Sequence, residues 1–143
     1  MHTDFERAEH LTRRRARMLP VLAVLLLTQQ TVFLSPEGTR AVDGFKIGAW
    51  VVLTAALLLV LATGGGLFRS APVRALLNDE TTKLHRLRAC ALGFWVAMGC
   101  GIAVYLLAQL VAITPREAVH VVVTGGLTAA LLSFAKQERR ALQ

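Results

Sequence analysis

The sequence predicts an all-α membrane protein: a four-helix transmembrane bundle with an N-terminal amphipathic helix. Three observations carry this reading. Of 143 residues, 55% are hydrophobic and 17% charged, where soluble domains average about 45–50% and about 25%. Four stretches, residues 18–34, 47–68, 89–113 and 115–135, are largely apolar, and a spanning helix needs roughly 17–25 such residues. The basic residues are concentrated in alternate connecting segments. A chain of this length holds one domain, residues 1–143, and leaves no room for a separate soluble catalytic domain.

The first element, residues 5–17, reads as an amphipathic helix, with Phe5, Ala8 and Leu11 on one face and arginines over the rest. It is expected to lie on the inner membrane surface before the chain turns inward. Pro20 sits near the start of the first span, where a missing amide costs least. No small-residue cleavage pattern follows that span, so it reads as an uncleaved anchor rather than a leader. Ser35-Pro36-Glu37-Gly38 ends it, and the loop from 35 to 46 is too short to fold alone. The second span closes at Gly64-Gly65-Gly66. A short helical piece over 71–77 follows, and then a long helix over 80–112 whose first turns stand in the cytoplasm. Asn78 or Asp79 caps it, and the acidic pair Asp79-Glu80 favours a helix N-terminus. Thr114-Pro115-Arg116-Glu117 combines a capping threonine, a proline at the first helical position and a glutamate reaching back. The fourth helix therefore starts at Pro115.

Orientation follows from lysine and arginine. The N-terminal arm, the second loop and the C-terminal tail hold thirteen of the sixteen; the remaining three, Arg40, Lys46 and Arg116, lie in the other two loops. Both termini and the second loop are thus expected in the cytoplasm. The same asymmetry accounts for the net charge of +7 as contact with anionic headgroups rather than direct nucleic-acid binding. Phe33, Trp50 and Tyr105 fall toward the outer interface, Phe68 and Phe134 toward the inner one. Trp95 lies deeper, packed in the bundle or against acyl chains.

Small residues recur every fourth position in the third span: Ala89, Gly93, Ala97 and Gly101. With Gly125 and Ala129, and Gly126 and Ala130, in the fourth, they predict close packing of these two helices, with a homodimer seam as the other use of the stripe. Thr28, Gln29, Gln30 and Thr31 form a polar collar in the outer half of the first span. Gln109 is at a similar depth in the third, and His120 one turn inside the outer face, with Thr124 one turn deeper. An interhelical hydrogen bond from Gln29 or Gln30 to Gln109 is one outcome; a small polar pocket made by Gln29, Gln30, Gln109 and His120 is the other. No CxxC or HxxxH motif occurs, so neither metal ligation nor a bound cofactor is expected. Cys90 and Cys100 read as small apolar packers. The segment 74–88 is the one sizeable cytoplasmic loop, and Asn78, Asp79, Glu80, Lys83 and Arg86 make it a candidate docking surface.

The basic arm, four spans and Asn78-Asp79-Glu80-Thr81 at the head of the third helix resemble small four-helix bacterial inner-membrane proteins of uncharacterised function. In some of those families an N-D-E or D-E-R element precedes the third span, and the genes often lie beside an Xre-type helix-turn-helix regulator. The resemblance implies a non-enzymatic membrane partner of a cytoplasmic transcriptional regulator, with Asn78, Asp79, Glu80 and Arg86 or Arg88 in the contact. The alternative is a small transporter or a membrane protein that binds a lipophilic ligand. Proton-coupled export is disfavoured because all nine acidic residues, Glu138 included, are expected in loops or tails. A redox subunit has only His120, the glutamine collar and two cysteines in its favour.

Overall fold

The computed structural model describes residues 2–33, 40–64 and 80–141, with side chains at 13, 14, 17–30, 44–64 and 80–141. Within them the chain forms four helices and no strand: α1 (His2–Phe33), α2 (Arg40–Thr63), α3 (Glu80–Leu107) and α4 (Pro115–Ala141). Asn78, Asp79 and the expected helical piece at 71–77 lie outside the described residues.

The amphipathic arm is not a separate surface helix. It continues through Pro20 into one 32-residue helix. Proline removes one ladder bond, but Leu19 before it and Ala23 and Leu26 after it are all buried in the core. Packing on both sides keeps the helix in one piece. At 1.5 Å per residue α1 is about 48 Å long, well over the roughly 30 Å of a hydrocarbon core.

α2 begins at Arg40, earlier than the apolar run, and stops at Thr63 rather than at 68. Gly64 terminates it with φ of 64°, the left-handed conformation that glycine adopts without steric cost after a helix end. α3 ends at Leu107, five residues before the expected 112. The chain then tightens, with Gln109 N–H donating to Leu106 O and Leu110 N–H to Leu107 O at 3.2 and 2.9 Å. Further on, the residue before Pro115 is pushed to extended backbone, which keeps the chain from running as one helix into α4.

α4 starts as its sequence demands. Glu117 N–H donates to Thr114 Oγ1 at 3.3 Å, and Thr114 N–H donates to Glu117 Oε2 at 2.8 Å. This reciprocal box satisfies two amides that a helix start leaves open. The helix does not fray at 135; it runs to Ala141, so Lys136, Glu138, Arg139 and Arg140 are helical rather than a tail. Glu138 is buried, with Oε1 3.9 Å from His85 Nδ1 on α3.

α4 is the hub. It packs along α3 and, less extensively, along α1, while α2 touches the others lightly. The core is one buried stripe per helix: Leu19, Ala23 and Leu26 on α1; Trp50, Thr54, Leu57 and Leu61 on α2; Ala89 and Gly93 on α3; Leu127, Leu131, Phe134 and others on α4. Each stripe follows the i, i+4, i+7 spacing of a helix face. Gly93 meets Gly126 and Ala130, Cys100 meets Gly125, and His85 meets Glu138, so α3 and α4 run antiparallel, as do α1 and α4 (Gln30 bonds Thr124).

The polarity is inverted relative to a soluble bundle. Thr54, His120, Thr124, Thr128 and Glu138 are buried, while Val24, Leu25, Val52, Leu87, Trp95, Ile102 and Tyr105 are exposed. Three helices, at Gly44–Thr63, Glu80–Leu107 and Pro115–Ala141, are long and apolar enough to cross a membrane. The apolar stretch of α1, Arg17–Gln30, is shorter, about 21 Å of helix. This is an all-α bundle built as a membrane protein.

Candidate functional site

The end of the bundle where α1 finishes and α4 begins contains a cavity of about 580 Å³. Its walls are Leu27 and Gln30 of α1, Cys100 of α3, Thr114 of the loop, and Arg116, Glu117, His120, Val121, Thr124 and Gly125 of α4. His120, Thr124 and the rim residues share one face because they are spaced by about one turn of helix. The capping box fixes the rim, since Thr114 and Glu117 hold each other and Arg116 lies between them.

The floor is polar. Gln30 Nε2 donates to Thr124 Oγ1 at 2.7 Å, joining α1 to α4. His120 Nδ1 lies 3.1 Å from the carbonyl oxygen of Arg116. A carbonyl only accepts, so Nδ1 carries the proton and, in the neutral ring, Nε2 is the acceptor. The imidazole stacks on the indole of Trp50, with centroids 4.0 Å apart and planes 17° from parallel. This contact joins the middle of α2 to the first turns of α4. Trp50 is buried, and its indole N–H has no hydrogen-bond partner among the described residues; the same is true of Gln29 Oε1 and Thr54 Oγ1.

Of the four residues expected in a polar pocket, Gln30 and His120 line the cavity. Gln29 is half-buried beside Gln30. Gln109 is exposed in the turn after α3 and does not line the cavity; the partner of Gln30 is Thr124 instead. The early end of α3 is the reason, since it leaves Gln109 past the last helical turn. Trp50, expected from sequence at the outer interface, is instead buried against His120. Its only sequence signal is the spacing Trp50, Thr54, Leu57, Leu61, which puts it on the buried stripe of α2. Cys100, read as a packer, also lines the wall.

The small residues meet as close neighbours. A Cβ on Gly93 would lie 2.7 Å from Gly126 O and 2.8 Å from Ala130 Cβ, and one on Gly126 would lie 2.8 Å from Ala97 Cβ. Ala89 is fully buried. The seam drifts from the every-fourth register: Gly125 faces Cys100, while Gly101 has only an ordinary contact with Val122, and Ala129 is half-buried beside the better-buried Ala130. At the opposite end, Glu80 and Lys83 are exposed and Arg86 is half-buried on the first turns of α3.

Among the described residues no three His, Cys, Asp or Glu side chains converge as a metal site. The arrangement offers hydrogen bonding and apolar contact. Its volume is within the roughly 300–1,000 Å³ of small-molecule pockets, which combine apolar walls with a few fixed polar groups. No protein-family model, curated protein or solved structure matches the chain.

Proposed function

We propose that this chain is a bacterial inner-membrane protein with four crossings and cytoplasmic termini, and that it binds a small amphiphile in the cavity between α1 and α4. The carrying observation is the Gln30–Thr124 hydrogen bond on the floor of a 580 Å³ cavity, with His120 beside it. Polar groups inside a membrane bundle are costly unless they are satisfied or used. Here they gather on one wall, and the indole N–H of Trp50 and Oε1 of Gln29 add a donor and an acceptor nearby. The ligand this suits is uncharged at its buried end, carries a carbonyl or hydroxyl, and has an apolar body resting on Leu27 and Val121. Arg116 and Glu117 at the rim suit a polar group at its other end.

The test uses 1-aminoanthracene, a planar fluorescent amphiphile. Trp95→Phe leaves Trp50 as the single tryptophan, stacked on His120. Saturable energy transfer from Trp50 to the probe is expected in this background. Adding Val121→Phe, which narrows the cavity wall, is expected to abolish saturation. Adding Thr124→Val is expected to weaken binding about fivefold, the equivalent of one lost hydrogen bond. Equal, non-saturating partition into all three proteins overturns the reading.

The four-crossing threading is tested by impermeant thiol labelling of intact cells, with Cys90 and Cys100 replaced by alanine. Thr39→Cys is expected to react and Thr82→Cys to be protected; the reverse pattern overturns the orientation.

A second reading is a membrane partner of a cytoplasmic helix-turn-helix regulator. Glu80 and Lys83, exposed on the first turns of α3 ahead of the buried Ala89, favour it. Co-purification of such a regulator with wild type, and its loss from a Glu80→Ala/Lys83→Ala variant, is the expected outcome. Retention of the regulator by the variant removes these residues from the contact.

A further inference from the structure

The end of the bundle opposite the cavity carries a second feature. Where α1 crosses α4, a cleft of about 400 Å³ is lined by Pro20, Leu132, Ala135, Lys136, Arg139 and Arg140. On another face of the same stretch of α1, a second cleft of similar volume is lined by Arg13, Arg14, Arg17, Met18 and Val21. Both have the same vertical order. Apolar side chains stand toward the middle of the bundle, and cations stand about one helical turn, roughly 5 Å, nearer its end. On α4 the order is Leu132 and Ala135, then Lys136, Arg139 and Arg140. On α1 it runs the other way along the chain, from Arg13, Arg14 and Arg17 to Met18 and Val21, as antiparallel helices require.

We infer that the α1–α4 cleft is a binding site for an anionic phospholipid, its phosphodiester held by Lys136, Arg139 and Arg140 and its acyl chains lying against Pro20 and Leu132. Guanidinium groups suit phosphate because their N–H donors match its oxygens in pairs. Basic pockets between membrane helices on the cytoplasmic side bind lipid headgroups by this combination of charge and apolar wall. A free phosphate presents the same anion but has no use for Pro20, Leu132 and Ala135. The apolar half of the lining selects the lipid. The inference needs the membrane reading and is independent of the amphiphile cavity.

The full chain, purified in a neutral detergent, is titrated with phosphatidylglycerol, with phosphatidylcholine and with inorganic phosphate, and bound lipid is counted by native mass spectrometry beside the thermal unfolding midpoint. Phosphatidylglycerol is expected to bind in discrete steps and to raise the midpoint; phosphatidylcholine and phosphate are expected to do neither. Lys136→Gln, Arg139→Gln and Arg140→Gln are each expected to weaken phosphatidylglycerol binding about fivefold, the worth of one cation near an anionic surface. Lys46→Gln, on α2 and outside both the cleft and the cavity, is expected to leave it unchanged. Equal binding of phosphatidylcholine overturns the headgroup assignment, and a midpoint shift with inorganic phosphate overturns the lipid assignment. Should the α4 variants misfold, a photoactivatable phosphatidylglycerol on wild type decides the matter. Cross-links to residues 132–140 support the site, and cross-links elsewhere overturn it.

Discussion

Thr124 is a small residue with a disproportionate position. Its hydroxyl accepts the hydrogen bond from Gln30 that joins α1 to α4, and it lines the cavity one turn from His120. Thr124→Val keeps the shape and removes the acceptor, which leaves the Gln30 amide without it in an apolar setting. Interhelical bonds of this kind contribute about 0.6–2 kcal/mol in membrane bundles. The expected result is a lower unfolding midpoint in detergent for Thr124→Val and a near wild-type midpoint for Thr124→Ser. The polar character of Gln30, His120 and Thr124 was legible in the sequence, because each interrupts an apolar run. Their pairing was not, since the partner of a glutamine depends on which helices become neighbours and where they end. Gln109 could reach Gln29 or Gln30 only from a helix continuing to 112, and α3 ends at Leu107. The Trp50–His120 stack is a contact between helices far apart in sequence, and nothing local to either residue encodes it.

At the scale of elements, the strongest local signals were also the best predictors. Thr114-Pro115-Arg116-Glu117 fixed the start of α4 because a capping box is satisfied within four residues and needs no tertiary help. The glycines at 64–66 marked the end of α2, and the first of them sufficed. Helix ends without such punctuation ran differently: α1 through Pro20, and α4 on to Ala141, where burial of Glu138 beside His85 lies outside any local rule. Small residues of α3 and α4 meet along one seam, whose register follows Gly93, Ala97 and Cys100 rather than a strict spacing of four, because a straight helix drifts relative to that spacing. Gly93 and Gly99 separate this seam from the outer face. Gly93→Ala drives its Cβ against the backbone oxygen of Gly126, so the helices must part, at a cost of about 1–3 kcal/mol for overpacking. Gly99 has nothing within 4 Å of an added Cβ. Gly99→Ala is expected to be neutral or mildly stabilising, since alanine favours a helix. Paired unfolding midpoints check both, and equal effects would place the seam elsewhere.

For the whole molecule, the informative feature is how little of α3 is covered. One side packs on α4, while Leu87, Phe94, Trp95, Ile102, Tyr105 and Leu106 point outward along most of its length. Two environments suit such a surface, acyl chains and a second copy of the chain, and the two tryptophans distinguish them. Trp95 is 70% exposed near the middle of α3, whereas Trp50 is 8% exposed and stacked on His120. In vesicles of lipid brominated partway along the acyl chain, Trp50→Phe leaves Trp95 as the reporter and Trp95→Phe leaves Trp50. If α3 faces lipid, Trp95 fluorescence is strongly quenched and Trp50 fluorescence much less so, because quenching by bromine requires close approach. If a second copy covers α3, Trp95 is protected as well, and its quenching should rise when the protein is diluted into excess lipid and the copies separate. Lipid contact is the outcome expected here. Membrane helices gain little from hiding apolar surface that acyl chains already cover, and bulky side chains such as Trp95 and Ile102 stand where close helix packing calls for small residues.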